Sequence, residues 1–596
     1  MGARRTCRDL SHRRVTVLNE EVARIFERMA HLLAFKGEDR FRVMAYERAV
    51  VSIRDLKEDL SSIAKAGKLE EIPGIGKDLS EMIVEYVAKR RMGRYERECR
   101  GIKPGLIELM TVPGLGPKTL ALLHQKLLVN DLAGLKRCLD GDAIRELKGF
   151  GSKKVENIRR GLDLWESSQK RMLISVALPL AENFVERIRG MESIDRVEIA
   201  GSLRRRRETI GDLDVLIQSN DAANALKEIT QLSIVKQVLG IGETKATVII
   251  EGGIQVDVRA VPAESFGAAL QYFTGSKQHN IHLRTLAQKA GLKVNEYGVF
   301  RGERCLGGKD ESDIYRLMKM AVMPPELRED RGEIKAALAG TLPALIEPGD
   351  LRGDLHTHTI WSDGKSTSEE MVEEAARLGY EYIALADHSP SERIAHGLDR
   401  DRLEKKIEEV ERLRTNRGRR KPHVLIGAEV DILADGRLDY PDEVLARLDI
   451  VVAAIHSTFR QTSDQITGRL VAAANHRYVD VLAHPTGRLI GTREPLEFDL
   501  ERVIKVAREN RVALEINGSL YRLDLNDVMA RAAQAGGALL AIGSDAHSTA
   551  QLEQIRYGVF QARRGWIEAR SVVNAWSWAK LSGWLQSRRT VSGVAA

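Results

Sequence analysis

Between residues 351 and 590 the chain repeats one pattern: short apolar runs (YIALAD, HVLIGAEV, LDIVVAAIH, VDVLAH, VALEIN, ALLAIGSD) alternate with amphipathic stretches of helical spacing. Short apolar runs alternating with helices read as buried parallel strands, and such units close naturally into a β/α barrel. The motifs Asp354-Leu355-His356-Thr357-His358, Ser362-Asp363-Gly364, Asp387-His388-Ser389, Gly427-Ala428-Glu429, Ile455-His456-Ser457, Ala483-His484-Pro485 and Ser544-Asp545-Ala546-His547 nearly all follow such a run. Residues at the C-terminal ends of barrel strands converge on one mouth, so groups distant in sequence become one cluster. Imidazoles mixed with carboxylates suit zinc or manganese. A lone His at a strand end is ordinarily a packing or surface residue. Repetition at successive strand ends points instead to a metal centre built from imidazoles and carboxylates of these motifs.

A chain of 596 residues is too long for a single hydrophobic core, so several domains are expected. Residues 324–350 are rich in Pro and charge, and nine of the fourteen histidines lie beyond them, which places a boundary there. Upstream, from about Arg171 to Val261, strand patterns appear in RVEIAG and LDVLIQ, and in KATVIIE and IQVDVRAV, the last two joined by Gly252-Gly253 as a tight hairpin requires. In Gly211-Asp212-Leu213-Asp214-Val215 the acids sit two apart, so their carboxylates share one face of a strand while Leu213 and Val215 turn to the core. Asp257, in the same alternation, can join them from a neighbouring strand, and three such acids can hold two Mg²⁺ ions for in-line phosphoryl chemistry. Ahead of them, Gly201-Ser202-Leu203-Arg204-Arg205 offers a flexible turn, a hydroxyl and guanidinium forks suited to a triphosphate.

From Asn19 to about Trp165 the apolar spacing is helical. Three turns in this region resemble one another: Pro73-Gly74-Ile75-Gly76-Lys77, Pro113-Gly114-Leu115-Gly116-Pro117-Lys118 and Lys148-Gly149-Phe150-Gly151-Ser152-Lys153-Lys154. Glycine permits close approach to a phosphate, the first N–H groups of a helix are unpaired, and the following lysine adds charge. One such turn is ordinarily only a cap. Three such turns resemble helix-hairpin-helix motifs, a resemblance that implies contact of Gly74, Gly76, Lys77, Gly114, Gly116, Lys118, Gly149, Gly151 and Lys153 with a DNA backbone, with strongly salt-dependent affinity.

The net charge of +7 favours a polyanionic partner, but bases and acids nearly balance, so any basic surface is local. Cys7, Cys99, Cys138 and Cys305 are scattered, which argues against a disulfide framework and a thiolate zinc site. The basic start MGARRTCRDLSHRRV lacks the apolar core of a secretory signal and no stretch is apolar enough to span a bilayer, so neither export nor membrane embedding is expected. A myristoylation pattern at Met1-Gly2 with Thr6 is discounted as a chance match.

The order Gly-Ser-x-Arg-Arg, Gly-Asp-x-Asp, then Tyr272-Phe273-Thr274-Gly275-Ser276 resembles the family-X DNA polymerases, and the strand-end histidine set resembles the PHP (polymerase and histidinol phosphatase) domain. The joint resemblance covers roughly residues 19–590 and is that of the bacterial and archaeal architecture. Residues 1–17 ahead of it read as a mobile basic extension, and the resemblance implies an 8-kDa-like helical DNA-binding domain over 18–95 and a helix-hairpin-helix region over 96–168, both all-α. An α+β nucleotidyltransferase palm over 169–262, a nucleotide-selection (fingers) subdomain over 263–323, a linker over 324–350 and a distorted TIM-like PHP barrel over 351–590 follow. By the same resemblance Ser202 and Arg205 bind the triphosphate, Tyr272 and Phe273 line the sugar pocket, Gly275 belongs to the same nucleotide-binding set, Asn280 meets the base edge, and Arg259 helps arrange the catalytic acids Asp212, Asp214 and Asp257. In the barrel, His356, His358, Glu429 and Asp545 would hold one Mn²⁺ or Zn²⁺, with Glu429 bridging to a second on His456 and His484. Asp363, His388 and His547 would hold a third.

The activity so implied is gap-filling synthesis in repair, with 3′→5′ exonuclease or related 3′-end processing in the barrel. Expected partners are gapped or nicked duplex DNA and dNTPs, in a monomeric, cytoplasmic, nucleoid-associated protein without a membrane partner. Alternatives are a barrel acting as a phosphatase on 3′-phosphate ends or small phosphoesters, and a non-catalytic DNA-end-binding scaffold. One departure stands out: where lyase-active relatives carry a Schiff-base lysine after the first hairpin, this chain has Met82, and Lys77 lies on another helical face, so deoxyribose-phosphate lyase activity is doubtful. His396 is a candidate substrate neighbour, His423 and His476 are read as ordinary residues, and Trp566, Trp576, Trp578 and Trp584 as packing for terminal helices.

Overall fold

The computed structural model describes residues 9–590 except 55, 57–59, 113, 142, 148, 170 and 419. Pro113 and Lys148 of the glycine turns, Cys7 and residues 1–8 of the expected extension therefore lie outside the described residues. The chain divides into two units, one running to Arg171 and including Gly491–Arg493, the other comprising the remainder.

The first unit is helical. In its opening helix, Asp9–Lys36, the residues Val22, Phe26, Met29 and Leu33 recur at three-to-four spacing and are fully buried, one apolar stripe on one face. That stripe packs on the helix Arg40–Arg54, where Tyr46 meets Phe26 edge to face at 5.5 Å. The same apolar cluster continues through Leu115, Leu120, Phe150 and Ile158, so the regions expected as 18–95 and 96–168 share one core. The opening helix begins at Asp9, inside the stretch read as a mobile extension over 1–17.

The second unit begins with the strands β1 (Met172–Leu173), β2 (Arg196–Ile199), β3 (Thr209–Ile210), β4 (Asp212–Gln218), β5 (Val235–Ile241), β6 (Lys245–Ile250) and β7 (Gln255–Val261). β1 pairs with β3, and the other five form a sheet in the order β2-β4-β7-β6-β5. β6 and β7 are the expected hairpin, with both Gly252 and Gly253 at positive φ. β4 and β7 run parallel and in register, so Asp214 stands beside Asp257. A small antiparallel sheet follows, built from β8 (Lys293–Asn295), β9 (Gly298–Arg301) and β10 (Arg304–Gly307), beside the helices Phe266–Thr274, Lys277–Lys289 and Glu311–Leu317.

Residues 324–350, expected as a linker, are packed instead. Arg328 is fully buried and donates to Met323 O and to Glu311, Glu333 is buried against His279 Nδ1 at 2.6 Å, and Ile346 lies in the barrel's apolar shell. Arg328 pairs with Glu311, and Glu333 is met by the His279 imidazole and by the backbone N–H groups of Asp330 and Arg331, which is what allows a charge-rich segment to enter the interior.

The barrel strands are β11 (Gly353–Thr357), β12 (Tyr382–Leu385), β13 (His423–Asp431), β14 (Ile450–Ala454), β15 (Val481–Leu482), β16 (Ala513–Asn517) and β17 (Leu539–Gly543), all parallel and in sequence order. A bridge between Thr357 and Ala546 brings the first and last together, so the sheet is nearly closed. Strand alternation divides the core in two. Ile383, Leu385, Val451, Ala453, Leu514 and Ile516 pack outward with the helices. Tyr382, Ala384, Val452, Ala454 and Ala513 belong to a second cluster that also contains Trp576, Leu581, Trp584 and Leu585 of the terminal segment. Trp578 stacks on His423 at 4.3 Å, so Trp576, Trp578 and Trp584 pack the terminal segment on the barrel as the sequence suggests, whereas Trp566 is half-buried under Arg531.

Candidate active sites

At the barrel mouth the ligand residues follow from strand ends: His356 is in β11 and His358 just beyond it, His388 follows β12, Glu429 is near the end of β13, His456 follows β14, His484 follows β15, and Asp545 and His547 follow β17. The structure brings all nine expected ligands together. His358, Asp363, His388 and His547 form one group, His356, His358 and Asp545 a second, His356, Glu429 and His484 a third, and His388, Glu429 and His456 a fourth, the ligand atoms of each lying within 4.8 Å of one another. His388 therefore reaches both Asp363 (3.6 Å) and Glu429 (3.0 Å), whereas the family resemblance places it only with Asp363 and His547.

His356 Nε2, both ring nitrogens of His358, Asp363 Oδ1 and Glu429 Oε2 are buried without a hydrogen-bond partner. Buried polar atoms left unpaired beside one another in this way are costly unless cations join them, so the set fits bound metal ions. The charges already lean that way. Burial opposes a cation at His456, but Glu429 and Asp431 override it and hold the imidazole at about 10. His358 is pushed the other way, to about 4, by burial and by His547 and His388. Burial would raise Glu429, yet the surrounding His456, His356 and His388 hold it well below the usual carboxylate range.

Sequence reading missed the residues that aim these ligands. Glu515 in β16 receives His356 Nδ1 at 2.7 Å and the backbone N–H of His484 at 2.9 Å, and Asn517 Nδ2 donates to it at 3.1 Å. An ideal Cβ on Gly543 would lie 2.2 Å from Glu515 Oε1, so only glycine fits beside it. Asp431 holds His456 Nδ1 at 2.9 Å, leaving Nε2 toward Glu429, and with Glu392 forms a further potential ligand group. Such partners set tautomer and ring orientation. A carboxylate inside the otherwise apolar run VALEIN was the available signal. Beneath the site Lys406 and Asp387, both fully buried, pair at 2.8 Å, and Lys406 also donates to Leu385 O and Gly427 O. His396 is exposed and its carbonyl accepts from Arg402, while His476 pairs with Asp442.

In the palm, Gly201 has φ +61° and an ideal Cβ there would lie 2.1 Å from Asp214 Oδ2, so the Gly-Ser turn rests directly on this acid. Burial, then Asp212 and Asp257, push Asp214 up to about 6. Asp257 is lowered despite burial, because Lys245 Nζ (2.7 Å) and Thr247 Oγ1 (2.7 Å) both donate to it. This crowding of like charge fits a site for cations. Arg259 lies over the Phe273 ring at 4.4 Å, and Phe273 meets Tyr272 edge to face. Asn280 is buried, its amide donating to Tyr272 O (2.7 Å) and accepting from Gln271 (2.9 Å). Arg205 donates to Thr274 O and to Glu329 (3.1 Å), and Ser202 is half-buried. Arg204 grips Glu311 with both arms at 2.8 Å; burial alone would raise Glu311, but Arg328 and Arg204 hold it at about 2.

In the helical unit each glycine turn has the same construction. Ile75, Leu115 and Phe150 are buried as pegs, while the glycines on either side (Gly74 and Gly76, Gly114 and Gly116, Gly149 and Gly151) are exposed, as are Lys77, Lys118 and Lys153 at the starts of the following helices. Gly74, Gly114 and Gly149 all have positive φ. Met82 is buried and its Sδ accepts from Tyr46 Oη at 3.6 Å. Cys99, Cys138 and Cys305 are free, and among the described residues no helix is long and apolar enough to cross a membrane.

Comparison with known proteins agrees with this geometry. Family models match as a helix-hairpin-helix domain at 17–92, a SAM-like helix-hairpin-helix tandem at 106–163, the thumb of DNA polymerase beta at 269–329 and a PHP domain at 354–519. Together with the palm acids, this series defines the class: a polymerase-beta-like nucleotidyltransferase carrying a PHP barrel. "DNA polymerase/3′-5′ exonuclease PolX" of Bacillus subtilis (strain 168) is 36% identical over 571 residues, 95% of this chain and 99% of that protein. The chain belongs to that family, the PolX-type family-X DNA polymerases. A "Probable phosphatase" of Thermoanaerobacter sp. (strain X514) is 33% identical over 209 residues, 33% of this chain and 78% of that protein. "DNA polymerase lambda" of Arabidopsis thaliana is 24% identical over 309 residues, 48% of this chain and 54% of that protein.

Proposed function

We propose that this chain is a DNA-directed DNA polymerase that fills short gaps during repair and trims 3′ ends in the 3′→5′ direction. The observation that carries the reading is the presence of two separate clusters suited to metal-assisted phosphate chemistry, the palm acids on β4 and β7 and the nine-residue set of histidines and acids at the barrel mouth. In the palm Asp212, Asp214 and Asp257 would hold two Mg²⁺, Ser202 and Arg205 would grip the triphosphate, and Tyr272, Phe273, Gly275 and Asn280 would shape the nucleotide pocket beside Arg259. In the barrel up to three Mn²⁺ or Zn²⁺ would lower the pKa of bound water toward neutrality and neutralise phosphate charge. There His356 and His456 are held in orientation by Glu515 and Asp431, and Arg522, 3.7 Å from Asp545, adds a cation beside the site. The exposed turns around Gly74–Lys77, Gly114–Lys118 and Gly149–Lys153 would track gapped or nicked duplex backbone. A buried Met82 supports weak or absent lyase activity. The setting proposed is cytoplasmic and nucleoid-associated, with the chain acting as a monomer.

A second reading, a barrel that removes 3′-phosphates or hydrolyses small phosphoesters, draws support from the likeness of this segment to probable phosphatases. The test uses a one-nucleotide-gapped, 5′-phosphorylated duplex with Mn²⁺ and a labelled primer. Loss of extension alone in Asp212→Ala/Asp214→Ala and of shortening alone in His356→Ala/His358→Ala supports the two-site reading. Extension by wild type without shortening overturns the exonuclease, and release of phosphate from a 3′-phosphorylated primer then establishes the phosphatase.

A further inference from the structure

The turn that carries Ser202 and Arg205 is gripped by the barrel. On the barrel helix Ile555–Arg564, Phe560, Gln561 and Arg564 lie on one face, at i, i+1 and i+4. Phe560 lies under Arg206 at 4.4 Å, Gln561 Nε2 donates to Glu208, and Arg564 Nη1 donates to the carbonyl of Arg205 at 2.7 Å and to Glu329 at 3.1 Å. Glu329 in turn accepts from Arg205 Nε, and Arg564 Nη2 is anchored on Asp527 at 2.7 Å. Arg488, from a barrel loop, adds a two-armed bond to Glu208 at 2.6 and 3.2 Å. Arg564 and Gln561 are almost fully buried, so these bonds lie away from water, where they are strongest.

We infer that Arg564 of the barrel is a positioning residue for nucleotide binding in the palm, acting on Arg205 through its backbone carbonyl and through Glu329. The inference rests on the polymerase reading. The bonds to Thr274 O from Nη1 and to Glu329 from Nε hold two different edges of the Arg205 guanidinium and fix its plane, so the remaining donors are presented in one orientation. A fork fixed before nucleotide arrives loses less freedom on binding a triphosphate. Removing Arg564 leaves no buried acid alone, since Asp527 keeps Arg331 and Glu329 keeps Arg205 and Arg207. The turn, however, loses its anchor to the barrel helix.

The test compares full-length wild type, Arg564→Met, Arg564→Lys and Glu329→Gln for single-nucleotide extension at varied dNTP, and for primer shortening without dNTP. Arg564→Met is expected to raise the KM for dNTP about tenfold with kcat changed by less than about threefold, and to shorten primers at the wild-type rate. Arg564→Lys should recover part of the KM, and Glu329→Gln, which keeps shape and loses only charge, should raise KM in the same direction. Wild-type KM in both Arg564→Met and Glu329→Gln, or equal loss of extension and shortening in both, overturns the inference. Absence of extension by wild type overturns the polymerase reading itself, which separates the two failures.

Discussion

Replacing Asp214 by Asn should abolish extension and yet make the protein more stable. Asp214 is pressed against Gly201 with Asp257 at its side, and burial together with the charges of Asp212 and Asp257 raises it from an ordinary 3.8 to about 6. Each tenfold in proton affinity is worth about 1.4 kcal/mol, so ionising this carboxyl in the fold costs ~3 kcal/mol more than in the unfolded chain. The sign follows from linkage: with the folded pKa raised, stability is fully present below pH 3.8 and is lost as pH rises through about 6. Asn carries no charge and avoids the loss, so at pH 8 Asp214→Asn should gain up to ~3 kcal/mol, a rise in Tm of about 3–6 °C for a unit of this size. At pH 5 the gain should fall to roughly half, because the folded carboxyl is then mostly protonated. Thermal melts of both proteins with EDTA at pH 5 and 8 measure the difference. An Asn variant no more stable than wild type at pH 8, or a gain that does not shrink at pH 5, would refute the reasoning.

Lys406→Met should cost about 3–5 kcal/mol in denaturant unfolding, because Asp387 is left charged and buried without its cation; adding Asp387→Asn should recover much of that loss. Glu515→Gln should weaken metal binding by about 10–100-fold in chelator competition while leaving primer extension intact, since Glu515 fixes the ring of His356. Substituting Lys77, Lys118 or Lys153 by Ala should weaken binding equally across DNA sequences and lower the slope of log affinity against log salt by about 1 each.

Much of the site was legible because local periodicity dictates which way a side chain points. The alternation in Asp212-Leu213-Asp214 put both acids on one face, and the apolar runs leading to His388, His456 and His484 put their histidines at one barrel mouth. The buried pegs Ile75, Leu115 and Phe150 follow the same logic on helical turns. Residues 324–350 misled because Pro and charge signal exposure only when the charges lack partners. Arg328 on Glu311 and Glu333 on His279 are buried pairs whose members are separated by many residues. Glu515 was passed over for a related reason, since one acid in an apolar strand has no periodic signature of its role.

The sequence by itself determined the helical unit, the palm strands, the β/α repeat and the placement of histidines and acids at successive strand ends, because spacing and residue type act over one or two turns of chain. Only the tertiary structure decided which ligands share an ion, that His388 stands between Asp363 and Glu429, and that Arg564 reaches the backbone of Arg205 across 359 positions. Those pairings arise from how folded elements approach one another and from the need of each buried charge for a partner, and neither is written in any local stretch of residues.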